Sequence, residues 1–352
     1  MDIVLPGYTT GFNSYESIYK IVSPFGKKVT IIGGETALNV TMPILQEHLS
    51  NFDILDVLIY GKEVTISNVE KLLENESVCD CDVIFAVGGG KAIDTAKYVA
   101  SELNKTIFTF PTLASNCASV SKEVYVYNED GSLNSKYVMN NNIKHVFINE
   151  SIILQAPFMY FHAGVGFALT KAYEPIFKAR RVQTTFEDDL ALNMCISLKD
   201  ELFLNANKAL KYFSNNDETI KIISNIIITT GYITNLLNKD LNKGIPHSVY
   251  QAMSNIYGFK KLNLLGDALT YGLLINLIYE KSNEMYRVHD FLKDNGFPVK
   301  LIELKLKFDN MAQISGDTIK QESMQDYPKS VSSHDISRGI ILLEEEFLLQ
   351  MF

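Results

Sequence analysis

Cysteine is scarce. The 352 residues contain four, Cys79, Cys81, Cys117 and Cys195. Cys79-Asp80-Cys81 places one residue between its thiols rather than two, and no second pair stands elsewhere. That spacing excludes a zinc ribbon or a thioredoxin-type redox centre, and reduced thiols are expected. Positive charge is also short. Lys and Arg number 32 against 41 Asp and Glu, a net charge of −9. This excludes a general nucleic-acid binder, which needs a basic footprint, but leaves room for a local pocket taking a phosphate-bearing ligand. Long apolar runs are missing too. The stretches at 222–228 and 273–278 fall well short of the roughly 20 residues that span a bilayer. Residues 1–5 lack the basic n-region and apolar h-region of a signal peptide, so a cytoplasmic protein without membrane association is expected. There is no internal repeat and no low-complexity tract.

What is present suffices for two globular domains. The hydrophobic fraction is 47% and the charged fraction 21%, which excludes intrinsic disorder. The length exceeds the roughly 250–300 residues that one core organises. The first half alternates short β-type runs with helical patterns. Val29-Thr30-Ile31-Ile32, residues 54–60, 83–87 and 106–110 read as strands buried on both faces, ending at Gly33-Gly34, Tyr60, Gly88-Gly89-Gly90 and Pro111. Residues 91–103 carry Ala92, Ala96, Val99, Ala100 and Leu103 at helical spacing. Strand–helix alternation of this kind predicts a parallel sheet covered by helices. The β-type runs 123–127 and 136–139 flank Asn128-Glu129-Asp130-Gly131-Ser132 and predict a hairpin, and 144–148 a further strand. Beyond Ala156-Pro157 the pattern turns helical, at 187–213, 218–237, 264–281, 284–295 and 333–349. Pro175, Pro246 and Pro298 lie at expected breaks. The partition predicted is therefore an α/β domain over 1–157 and an all-helical domain over 158–352.

Gly88-Gly89-Gly90-Lys91 follows a buried strand and opens an amphipathic helix. Glycines let a backbone approach a ligand closely, and a helix N-terminus offers free N–H groups and partial positive charge to a phosphate. The spacing matches neither the G-x-G-x-x-G nor the Walker pattern. A phosphate cradle and a ligand-free tight turn both fit it.

The run Gly-Gly-Gly-Lys-x-x-Asp-x-Ala-Lys at 88–97 resembles the pyrophosphate loop of the iron-containing alcohol dehydrogenase superfamily, with the glycerol dehydrogenase and sn-glycerol-1-phosphate dehydrogenase branches nearest. Phe110-Pro111-Thr112-Leu113-Ala114-Ser115 is similar to the family's Pro-Thr-x-Ala-Ser, and Tyr127-Asn128-Glu129-Asp130-Gly131 to the end of its hairpin strand. Asn149-Glu150 through Ala156-Pro157, then Ala163-Gly164-Val165-Gly166, then Gly266-Asp267 through Tyr271-Gly272, resemble later landmarks in family order. The resemblance implies a Rossmann-like parallel-sheet domain, then an all-α domain completing the active-site cleft, in a dehydroquinate synthase-like architecture. It also implies a homo-oligomer and a nicotinamide cofactor, NAD or NADP. By the resemblance Gly88, Gly89, Gly90 and Lys91 hold the pyrophosphate, with Thr112, Ser115, Ser121 and Tyr127 at further cofactor contacts. Glu35, at the end of the first of these strands, stands where a carboxylate would bind the ribose 2′-hydroxyl. Glu123 and Tyr125 replace an apolar and a smaller residue of the family, and Cys117 replaces an Asp beside the polyol substrate.

The family's catalytic zinc or iron is held by one Asp and two His. Here the Asp position is Phe167, one His position is Leu265, and the other is matched by His247. One ligand of three argues against zinc or iron. His247 then stands either as a general acid–base, since histidine titrates near neutrality, or as a paired histidine without a chemical role. Tyr250 shares its helical face and is either a second proton donor or a packing residue. Lys122 reads as an anion contact or a solvated lysine, His162 as structural, and Cys117 as a thiol with no local activation. Two functions follow as expectations. One is an NAD(P)-dependent oxidoreductase acting on a small alcohol, polyol or carbonyl compound without the family's catalytic metal. The other is a non-catalytic relative that binds a nucleotide or metabolite. A lyase resembling 3-dehydroquinate synthase ranks behind both.

Overall fold

The computed structural model describes residues 3–180, 182–325, 327 and 330–345. The chain divides into two compact units. The first comprises residues 1–161 and 226–235, the second 162–225 and 236–352.

The first unit is built on six parallel strands: β1 (Gly7–Thr10), β2 (Lys28–Gly33), β3 (Asp53–Ile59), β4 (Val83–Gly88), β5 (Thr106–Pro111) and β8 (His145–Ile148), in the order β1-β8-β5-β4-β2-β3. Every residue of β4 is buried, which is why its sequence is apolar without alternation. Helices α1 (Glu35–Leu45), α2 (Ile66–Leu73) and α3 (Gly90–Glu102) lie between β2 and β3, β3 and β4, and β4 and β5 of this sheet. Phe85 lies among Phe52, Phe108 and Phe110, with ring centroids 6.3, 6.1 and 4.8 Å away. Burying one such ring contributes about 2–3 kcal/mol. Strands β6 (Glu123–Tyr127) and β7 (Leu133–Val138) pair antiparallel around a turn with Gly131 at φ 82°.

Two features of this unit depart from the sequence reading. Strand β1 has no apolar run to announce it. It adds to the sheet edge through backbone pairing with β8, leaving Tyr8 exposed. Residues 226–235 were expected inside one continuous helix of the second half. Instead the chain passes through a wide π-type turn at Asn225–Thr229 into the helix Thr230–Leu236, and packs with the first unit. Gly231 lies against Val120, where a Cβ would come within 2.4 Å. Asn235 brackets the same loop, its Nδ2 donating to the Val120 carbonyl at 3.0 Å and its Oδ1 accepting the Lys122 N–H at 3.1 Å.

The second unit is helical. Its helices include α4 (Phe158–Ala179), within which the division falls, α5 (Phe186–Lys211), α6 (Asp217–Ser224), α7 (Ile245–Ser254), α8 (Leu265–Tyr279), α9 (Met285–Asp294) and α10 (Ser333–Glu344). The helix expected over 333–349 is seen as α10; residues 346–349 lie outside the described residues. Pro246 occupies the first turn of α7, where its missing N–H costs nothing. Pro175 does not break α4. The proline removes one backbone donor, and burial of Tyr173, Phe177 and Lys178 around it offsets that loss. Helix α8 is buried along nearly its whole length. Its two glycines explain how. A Cβ on Gly266 would lie 1.6 Å from the Ala163 carbonyl oxygen, and one on Gly272 2.8 Å from Pro246 Cα. Thus α8 meets α4 and α7 backbone to backbone.

Candidate functional site

Two constellations carry chemistry, one in each unit. The first is the turn from β4 into α3. Gly88 has φ 146°, a conformation open to glycine and strained for other residues. Its carbonyl accepts the Thr112 N–H at 3.1 Å, and the Val87 carbonyl accepts the Gly34 N–H at 3.3 Å, which brings the start of α1 beside the turn. A Cβ on Gly89 would come 2.8 Å from Leu113, and one on Gly90 3.0 Å from the Asn116 side chain. The loop after β5 therefore closes over the glycines. No side chain caps α3, and its first turn holds no acidic residue. Uncapped N–H groups at the head of a thirteen-residue helix form a site for an anion.

The remainder of the 88–97 motif is structural. The Lys97 ammonium is fully buried and spends its three donors on Asp94 Oδ1 (2.7 Å), the Ala118 carbonyl (3.0 Å) and the Glu123 carbonyl (2.6 Å). Asp94 and Lys97 thus clamp the 112–123 loop and the hairpin to α3. Lys91 is exposed and paired with Glu63. Of the residues expected at the cofactor, Thr112 and Ser121 are buried and Ser115 half-buried. Ser121 Oγ accepts the Glu123 N–H at 3.0 Å, and the Tyr127 N–H donates to the Val64 carbonyl at 2.8 Å. All of them belong to the unit that carries the glycine turn. Glu123 and Tyr125 are tied to each other, the phenol donating to the carboxylate, which also takes Lys136 at 2.6 Å. Burial first, and Glu123 next, pushes the Tyr125 hydroxyl well above the ordinary tyrosine range. Cys117 is buried with its Sγ 3.8 Å from Thr234 Oγ1. Glu35 is the first residue of α1, exposed at the rim of a groove of about 420 Å³ that Leu38, Met42, Val57 and Ile59 line.

The second constellation centres on His247, in the first turn of α7. Its partner, Glu174 of α4, is 73 residues away in sequence. Glu174 Oε1 accepts the N–H groups of Gly244 (2.6 Å) and His247 (3.2 Å), and Oε2 pairs with His247 Nδ1 at 2.6 Å. The carboxylate therefore caps α7 and holds the imidazole at once. Burial alone would raise the Glu174 carboxyl; the His247 contact, Lys171 and the Gly244 N–H outweigh it and hold it below the ordinary range. Burial pushes His247 below the ordinary imidazole value against the pull of Glu174, with Lys243 and Lys171 adding to the depression. Both directions favour carboxylate and neutral imidazole. Among the described residues no group is hydrogen-bonded to His247 Nε2, and the side chain is 10% exposed.

Phe167, Lys171, Glu174 and Lys178 recur on one face of α4 by helical spacing. Lys171 is buried, with its ammonium on the Asn242 carbonyl (3.1 Å) and Oδ1 (3.0 Å). Phe167 is buried, and Leu265, which begins α8, is half-buried. Among the described residues no group of three or more His, Cys, Asp and Glu side chains is placed to hold a metal ion. Tyr250 lies on α7 with its ring 6.5 Å from that of Phe259. His162 has Nδ1 3.0 Å from Asp267 Oδ1 and Nε2 3.0 Å from the Asn295 carbonyl, and it stacks on Phe297 at 3.8 Å. Glu174 and Lys171 escaped the sequence reading. Their one signal was charge recurring at helical spacing inside an otherwise apolar helix.

Residues 6–149 match the family model described as iron-containing alcohol dehydrogenase. The chain is 25% identical over 309 residues to glycerol dehydrogenase 1 of Schizosaccharomyces pombe, covering 84% of this chain and 67% of that protein. It is 27% identical over 262 residues to hydroxycarboxylate dehydrogenase A of Escherichia coli, covering 73% and 72%. The crystal structure of glycerol dehydrogenase from Schizosaccharomyces pombe superposes with a TM-score of 0.87 at 21% identity, covering 98% of this chain and 91% of that one. Sulfoacetaldehyde reductase from Bifidobacterium kashiwanohense, in complex with NAD+, superposes with a TM-score of 0.80 at 15% identity, covering 97% and 98%. No helix among the described residues is long and apolar enough to cross a membrane.

Proposed function

The chain belongs to the iron-containing alcohol dehydrogenase superfamily, and from that membership we propose that it is an NAD(P)-dependent oxidoreductase acting on a small alcohol, polyol or carbonyl compound, with the proton handled by His247. The observation that carries this reading is the glycine turn. It pairs an uncapped helix head with a loop closed over Gly89 and Gly90, as a dinucleotide pyrophosphate requires. Gly88, Gly89, Gly90 and Lys91 hold the pyrophosphate through backbone N–H groups, and Thr112, Ser115, Ser121 and Tyr127 line the remainder. Glu35, opening α1 beside the turn, favours the free ribose 2′-hydroxyl of NAD over the phosphate of NADP. When bound, the nicotinamide supplies the hydride acceptor or donor.

The three positions expected to hold the family's ion present one imidazole, one phenyl and one isobutyl group. That donor set does not fit a catalytic zinc or iron, which takes about three protein ligands. The proposal therefore assigns the proton to His247, with Tyr250 on the same helix as a second donor. Titration of the purified protein with NADH and NADPH tests the reading; saturable binding of one is expected, and no binding of either at millimolar concentration defeats it.

Burial of Phe167 favours a second reading, a relative that binds a nucleotide or metabolite without turning it over. Here Phe167 and Leu265 fill a former ion pocket. Phe167→Asp with Leu265→His is then expected to gain zinc binding, while robust turnover of the unmodified protein on polyols or aldehydes argues against this second reading.

A further inference from the structure

We infer that Glu174 is a positioning residue: it locks His247 in the tautomer whose Nε2 is a proton acceptor, so that the buried Glu174–His247 pair takes the substrate's hydroxyl proton. The inference deepens the oxidoreductase reading above and rests on it.

The argument starts from the carboxylate. Glu174 is 1% exposed, and both its oxygens are committed. Two backbone N–H groups meet Oε1, and Oε2 is left to the imidazole at 2.6 Å. An ionised carboxylate only accepts, so Nδ1 must carry the hydrogen. A neutral imidazole has one hydrogen, so Nε2 keeps its lone pair. The backbone bonds stop the carboxylate from turning, and Pro246 and the first turn of α7 hold the ring's own backbone. Nε2 points away from the pair with no partner among the described residues. Lys171, anchored on Asn242, supplies positive charge to the same cluster, which favours carboxylate and neutral imidazole over imidazolium.

The step balances. In oxidation the substrate O–H bond breaks, its proton goes to His247 Nε2, and the oxygen's electron pair forms the second C–O bond. The nicotinamide, when bound, would supply the acceptor for the hydride of that carbon's C–H bond. The imidazolium that results is stabilised by Glu174, and reduction runs the same transfers backwards.

A merely structural Glu174 would act only as the cap of α7, and the isosteric change Glu174→Gln separates the two roles. The amide oxygen still accepts the Gly244 and His247 N–H groups. The amide nitrogen faces Nδ1 as a donor and forces the hydrogen onto Nε2. Long-range proton–nitrogen NMR of the full chain is expected to find a protonated Nδ1 and a bare Nε2 in the parent, reversed in Glu174→Gln. The kcat for alcohol oxidation is expected to fall by about 100-fold, the loss typical of a missing general base, with KM within about twofold and the pH profile displaced. Equal pH profiles and equal kcat in the two proteins overturn the inference while leaving the oxidoreductase reading intact. If the parent binds no nicotinamide and turns nothing over, the oxidoreductase reading fails, and the tautomer measurement still decides whether Glu174 positions the ring. If Glu174→Gln does not fold, the parent spectrum decides alone: a hydrogen on Nε2 overturns the inference.

Discussion

The glycine turn and the His247 cluster solve similar problems by opposite routes. The turn is assembled from contiguous chain: a strand, three glycines and a helix within residues 83–102. Its polar demands are met by Lys97, three residues beyond Asp94. The His247 cluster draws on α4, on Asn242 and on α7, with partners 70 to 73 residues apart. A site made of neighbours in sequence carries its own signature. A site made by packing has none until the helices are in place, and it depends on the glycines that let them touch.

Three measurements break or sharpen that comparison. The largest effect is expected at the local site. Lys97→Ala leaves a buried carboxylate and two loop carbonyls without their donor, and should cost about 3–5 kcal/mol in urea unfolding. Lys91→Ala, in the exposed pair with Glu63, should cost at most about 0.5 kcal/mol. Equal effects would mean that the motif does not divide into clamp and cradle. At the packed site, Gly266→Ala drives a methyl into the Ala163 carbonyl and should lower stability by about 1–3 kcal/mol or more. Gly316→Ala, in the helix Met311–Thr318 with nothing near its Cβ, should raise stability by about 0.5–1 kcal/mol. A thermal melt that ranks them otherwise removes the backbone contact of α4 with α8 as the cause.

The smallest effect is in acid. Burial lowers His145 of β8 from 6.5 to about 4, with Nε2 2.8 Å from Thr9 Oγ1. The folded state disfavours its charged form, so its contribution is complete above 6.5 and is lost as pH falls from 6.5 towards 4. Between pH 7 and pH 5 the urea midpoint of the parent should fall further than that of His145→Gln. Parallel slopes would place the acid sensitivity elsewhere.

Much of the first unit was legible because β2, β4 and β5 are buried on both faces and say so in unbroken apolar runs; β4 and β5 lie within a residue of their expected bounds, whereas β3, expected to be buried on both faces, lies at the sheet edge and alternates exposed with half-buried residues. Strand β1 was not, since it is held by backbone pairing at an edge and its side chains are polar or exposed. The helices of the second unit followed their apolar spacing, but Pro175 suggested a break that burial overrides. The detour of residues 226–235 into the first unit left no mark, because an apolar helix reads alike whichever core receives it. The glycines of the 88–97 motif were visible as a site. That Asp94 and Lys97 serve as a clamp was not, since their carbonyl partners lie on a loop and a hairpin.

By itself the chain's order of residues determined the kind of elements, the glycine turn and the identity of the side chains at 167, 247 and 265, since these depend on local spacing and residue chemistry. Only the tertiary structure decided the partner of His247. That partner is a carboxylate from another helix, and that helix reaches it through close packing and burial that no local pattern encodes.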